Sequence, residues 1–139
     1  MTLLDVGPLL ALVWQRHEAH ERAMAWLDAV NERSGVCRVT AMGLLRLLSN
    51  PAVMSTDVVS RRNAWRVLDT VLSDDRFEWC DEPGGVTDEF RRLSATDDRS
   101  HKLWTDDYLA AFALATSSSL TTLDRKLPVR YPDLDVIVI

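Results

Sequence analysis

The chain has 139 residues, enough for one hydrophobic core, and residues 1–139 are expected to form a single domain. A hydrophobic share of 47% and a charged share of 27% exclude an intrinsically disordered chain. The net charge of −5 excludes nucleic-acid binding through a global positive field, but not a nuclease whose bound metal reverses the sign locally.

No apolar run approaches the ~18–20 residues that would cross a bilayer. Asp5 and Pro8 interrupt the start of the chain too early for a secretory leader, so a cytoplasmic location away from membranes is expected. Cys37 and Cys80 each lie in a short apolar stretch and are expected as buried free thiols. A disulfide between them would need an oxidising compartment, which nothing in the sequence indicates.

In chain order, Thr2–Val6 reads as a short apolar strand containing Asp5, followed by a helix that opens near Pro8 and runs to about residue 15. Ala19, Ala23, Trp26, Leu27 and Val30 predict an amphipathic helix over about 18–33, closed by Ser34-Gly35. Val36–Val39 reads as a second strand. Thr40 is the expected N-cap of a helix that ends at Asn50-Pro51. Val58, Trp65, Leu68 and Leu72 predict a helix over about 57–72, and Phe77–Cys80 a third strand. A turn at Glu82–Gly85, a helix over 86–94 and a polar loop over 95–103 follow. Tyr108, Ala111, Phe112 and Ala115 mark a helix from Thr105 to Ser117. Leu120–Thr122 and Val136–Ile139 read as the last two strands.

Strands that alternate with helices imply an α/β domain with a mainly parallel sheet covered on both faces. Such sheets carry function at the C-terminal ends of their strands, where strand order reverses. Asp5 closes the first predicted strand, Asp124 follows the fourth, and Asp106 lies in the first turn of a helix, where the dipole favours a carboxylate. Carboxylates brought together can hold Mg²⁺, or Mn²⁺ as a substitute, to activate water and bind phosphate oxygens. Plainer roles exist too. Asp106 could serve as a first-turn helix acid beside Thr105, and Asp124 as a turn former before Arg125-Lys126. Asp5 is the hardest to explain so, because a carboxylate ending an apolar strand is costly unless paired or functional.

Leu3-Leu4-Asp5-Val6, Thr105-Asp106-Asp107-Tyr108-Leu109-Ala110-Ala111 and Thr122-Leu123-Asp124-Arg125-Lys126-Leu127 resemble the motifs of PIN domains. The stretch from Val39 to Pro51, and His17–Ala23 with Trp26 after it, resemble a subset of bacterial VapC toxins. No single motif is specific, but the ordered set covers nearly the whole chain. The resemblance implies a three-layer α/β/α sandwich, a Mg²⁺-dependent endoribonuclease acting on RNA, a cognate VapB-like antitoxin and a homodimer. It makes Asp5 and Asp106 the principal metal ligands and Asp124 a further catalytic acid, with Thr122 as its partner.

Two departures stand out. Gly7 occupies a place where many PIN domains have Asn, and Gly43 a place where many have Glu. Without that acid, one ion held partly through water is expected rather than two. Asp107 is a poor substitute, since helix neighbours point about 100° apart. The alternative reading is a PIN-fold RNA-binding or scaffold protein with weakened catalysis.

Among the remaining residues, His17 and His20 are expected in surface or capping roles, and His101 in solvent. Arg61, Arg62 and Arg66, with Arg91 and Arg92, are expected as solvated faces, the alternative being contact with phosphates or an acidic antitoxin segment. Arg46 and Thr122 are candidates for touching substrate. The five tryptophans are expected mostly in the core, any exposed one marking an antitoxin groove or dimer surface.

Overall fold

The computed structural model describes residues 1–139. Five strands run parallel in the order β3-β2-β1-β4-β5. They are β1 (Thr2–Leu4), β2 (Ser34–Cys37), β3 (Phe77–Cys80), β4 (Ser119–Thr122) and β5 (Val136–Val138). From β1 the chain first builds outward through β2 and β3, then returns to the other side of β1 to add β4 and β5. The order therefore reverses between β1 and β4, which is where ligand sites form in open parallel sheets.

Alternation along β1 sorts the core into two layers. Leu4 packs with α1 (Val6–Val13), α2 (His20–Ala29), α3 (Arg38–Leu48) and α5 (Arg61–Leu72). Leu3 packs on the opposite face with α7 (Trp104–Thr116), Val86 at the start of α6 (Val86–Ser94), and Leu127, Tyr131 and Leu134. The expected three-layer α/β/α sandwich is present. The sheet is parallel throughout, and no helix is long and apolar enough to cross a membrane.

Several expected boundaries move, each for a visible reason. Ser34 and Gly35 do not close α2, which ends at Ala29; they open β2. Gly35 leaves room inside that strand for two sulfurs: a Cβ there would lie 2.8 Å from Cys80 Sγ and 2.9 Å from Met1 Sδ, so those side chains would have to shift to admit one. Val39 is helical, not part of a strand, and Thr40 is not the N-cap of α3, which begins at Arg38 after Cys37. Thr40 instead donates its hydroxyl to the Leu4 carbonyl at 2.8 Å, tying α3 to the C-terminal end of β1. Pro51 does not simply end a helix. Asn50 caps a new turn, α4 (Pro51–Met54), which runs into a 3₁₀ turn over Ser55–Asp57 before Ser60 caps α5. A short helix absent from the sequence expectations, α8 (Leu127–Arg130), precedes β5.

The tryptophans depart most from expectation. Trp65 and Trp104 are 51% and 57% exposed, and none of the five belongs to the buried core. In α5 the buried stripe is Ala64, Leu68 and Val71, which rotates Trp65 outward. Trp79 lies under the Arg38 guanidinium, 4.5 Å from its ring centroid. Cys37 and Cys80 face each other in register on β2 and β3 as free thiols. Cys37 is buried and Cys80 only half-buried, its thiol pushed up to about 11 mainly by that burial.

Candidate metal centre at the β1–β4 edge

Asp5 leaves β1 and becomes the N-cap of α1, so a single residue serves as both strand end and helix start. Its Oδ1 accepts the Val6 N–H at 2.6 Å. Its Oδ2 accepts the Thr122 hydroxyl at 2.8 Å, from the end of the neighbouring strand β4. Thr122 Oγ1 in turn accepts the Asp124 N–H at 3.1 Å, and Asp124 Oδ1 accepts the Lys126 N–H at 2.8 Å. The Thr-x-Asp segment is thus a small turn that holds Asp5 with one hydroxyl and shapes the backbone around Asp124.

Asp106 enters from the first turn of α7, and Arg130 Nη1 donates to its Oδ2 at 3.0 Å. Its neighbour Asp107 turns inward, is 8% exposed, and accepts the Tyr131 hydroxyl at 2.5 Å. Burial, then donation to Asp107, pushes the Tyr131 phenol far above its ordinary range. Asp107 is a structural carboxylate that ties α7 to the end of α8, which accounts for a second acid beside Asp106.

The carboxylates sense one another. Burial raises the Asp5 carboxyl above its ordinary value, the bonds from Thr122 and Val6 oppose this, and the Asp124 charge adds to it. Asp106 is raised by burial and then by the charge of Asp5, with Arg130 pulling the other way. As the side chains stand, however, no three acidic, imidazole or thiol groups form a ready-made metal cage. Each acid is turned to its own partner: Asp5 to Thr122, Asp106 to Arg130, and Asp124 to Lys126. The donor set still suits a hard divalent cation. It consists of oxygens, two of its members are held protonation-prone by burial and mutual repulsion, and an arginine already supplies positive charge to one of them.

Beside Asp5 opens a cleft of about 440 Å³, lined among others by Val6, Gly43, Arg46, Met42 and Thr105. Arg46 is exposed, and no hydrogen bond or ion pair engages its guanidinium. His17 and His20 are structural. His17 Nδ1 accepts the Ala19 N–H at 3.0 Å, and His20 Nδ1 bonds the Ala11 carbonyl at 2.7 Å. His101, Arg61, Arg62, Arg66, Arg91 and Arg92 are exposed.

No sequence motif marks Arg130, Tyr131 or Val6 as part of this site. Pro128, in the first turn of α8, signals that a helix starts there, and the fold then brings Arg130 to Asp106.

A family model described as PIN domain matches residues 2–131. Ribonuclease VapC41 of Mycobacterium tuberculosis strain H37Rv is 36% identical over 130 residues, covering 89% of each chain. Ribonuclease VapC29 of the same strain is 31% identical over 139 residues, covering 98% of this chain and 95% of its own. Among solved structures, VapBC2 from Rickettsia felis bound to a promoter DNA fragment superposes with a TM-score of 0.71 at 16% identity, over 99% of this chain and 98% of the other. VapBC-1 from nontypeable Haemophilus influenzae gives 0.67 at 16% identity, over 99% and 96%. These structural likenesses bear on the fold alone.

Proposed function

The chain belongs to the PIN-domain family, among relatives named as VapC ribonucleases, and from that premise we propose that it is a toxin endoribonuclease that hydrolyses RNA phosphodiester bonds with a divalent metal, Mg²⁺ or in its place Mn²⁺. What supports this reading is that Asp5 lies where the strand order reverses, and that Asp5 and Asp106 are both raised by burial and by the charge of neighbouring carboxylates, Asp124 among them.

Asp5 and Asp106 would hold the cation, with Asp124 contributing from the Thr122 turn. The cation supplies Lewis acidity toward the attacking water and the phosphate. The protein's own groups do the rest. Thr122 fixes the Asp5 carboxylate through its hydroxyl, and the Val6 N–H fixes the other oxygen. Arg130 balances the charge of Asp106. Val6, Val39 and Leu47 give the cleft an apolar part of its lining.

A VapB-like antitoxin is the proposed partner, supported by structural neighbours that are themselves VapBC complexes. A homodimer and a cytoplasmic location complete the reading. Gly43, without the customary acid, favours a second reading in which the fold binds RNA with weakened catalysis. One assay separates them: purified protein incubated with structured RNA should cut it in Mg²⁺ and stop with EDTA. Binding without any cleavage over a range of Mg²⁺ and Mn²⁺ would favour the second reading.

A further inference from the structure

Gly43 and Val6 are in unusually close contact. A Cβ built on Gly43 would lie 2.5 Å from Val6 Cγ2 and 3.1 Å from Cγ1, so no side chain enters at position 43 unless Val6 moves. Val6 is half-buried at the start of α1 and lines the same cleft, so a side chain at position 43 requires the Val6 methyls to turn away from it. On the other side, Thr40 pins the start of α3 to Leu4, which holds Gly43 against Val6. The Val6 methyls occupy the place that the first side-chain carbon of an acid at position 43 would take.

One turn further along α3, on the same helix face, is Arg46. It lines the cleft together with Asp5 and Gly43, and it is the cationic residue of that lining. Its guanidinium has no carboxylate partner, whereas Arg130 is already committed to Asp106. Three carboxylates facing one dication and Arg130 leave the site without net positive charge for an incoming phosphate. Arg46 is the group placed to provide it.

We propose that the Val6–Gly43 contact closes the position of a fourth acidic ligand, so that the site holds one divalent cation per chain. Arg46 then supplies the RNA phosphate with the positive charge a second cation would bring. The inference rests on the ribonuclease reading of the same site, and its test is built to fail separately from it.

Mn²⁺ titration of the metal-free protein, followed by calorimetry, should give one ion per chain. The Val6→Ala/Gly43→Glu double variant, if it melts cooperatively, should gain a second; if it does not fold, Val6→Ala/Gly43→Asp is read in the same way. Affinity for a short single-stranded RNA, measured by fluorescence anisotropy with saturating Ca²⁺ as a non-cleaving cation, should fall in Arg46→Ala. Its slope against the logarithm of salt should become shallower by about 0.7, and Arg46→Lys should restore that slope. Two ions bound by the wild type, a folded double variant that still binds one, or an unchanged slope in Arg46→Ala would each overturn the inference while leaving RNA cleavage intact. A wild type that binds neither Mn²⁺ nor RNA would overturn it together with the ribonuclease reading.

Discussion

The Thr122 hydroxyl donates to Asp5 Oδ2 over 2.8 Å, joining the ends of two adjacent parallel strands that lie 117 residues apart in the chain. Thr122 is therefore a positioning residue for Asp5. Thr122→Val keeps the shape and removes the donor. It should cost about 1–3 kcal/mol of stability, because the hydroxyl makes two partly buried hydrogen bonds, to Asp5 Oδ2 and from the Asp124 N–H. It should also lower RNA cleavage at saturating Mg²⁺ more than it raises KM. Denaturant melts and steady-state cleavage measure the two effects; unchanged cleavage would show that Asp5 needs no such anchor.

Asp106 carries a sign that can be checked against pH. Its carboxyl is raised in the folded protein, chiefly by burial and then by Asp5. The folded state thus binds more protons than the unfolded one above the ordinary value of 3.8, and metal-free stability falls as pH rises through that window. Asp106→Asn lacks this penalty. In EDTA, the Tm of the variant minus that of the wild type should increase with pH from 3.8 upward and level off above the raised value. Mg²⁺ should raise the Tm of the wild type and leave the variant unmoved.

The inward turn of Asp107 makes Tyr131 a structural anchor. Tyr131→Phe removes the phenol that donates at 2.5 Å and strands a buried carboxylate oxygen. A loss of roughly 1–3 kcal/mol is expected, since the unsatisfied acceptor bears its full desolvation cost. Chemical denaturation reads it directly. The double variant Tyr131→Phe/Asp107→Ala should lose less than the sum of the two single changes.

Gly43→Ala should destabilise by about 1–3 kcal/mol, the usual cost of overpacking. Most of that loss should return in Val6→Ala/Gly43→Ala, because the clash is with the Val6 methyls. Equal losses in both backgrounds would place the strain elsewhere.

Much of the site is legible in the sequence because its acids sit at punctuated positions. Asp5 ends an apolar strand before Pro8, Asp106 opens the most regular helix, and Asp124 follows a β-branched run. What escaped local reading depends on tertiary contact. Val39 and Thr40 look like a strand end and a cap, yet the bond from Thr40 to Leu4 favours an earlier helix start. Trp65 matches the helical period but lies one residue off the stripe that faces the sheet. Arg130 carries no motif, and only the fold of α8 brings it to Asp106. In sequence Gly43 stands only as a missing acid; in the fold its closeness to Val6 leaves no place for a side chain unless Val6 moves.

The claim on which the rest depends is that Asp5 and Asp106 hold the cation that cuts RNA. Cleavage of one structured RNA by wild type, Asp5→Asn and Asp106→Asn, followed across a Mg²⁺ titration, tests it most directly. The account predicts saturable Mg²⁺-dependent cleavage by the wild type and a loss of about 100-fold or more in each variant, the scale on which removing one group that stabilises transition-state charge acts. Both variants, folded and cutting at the wild-type rate, would contradict it.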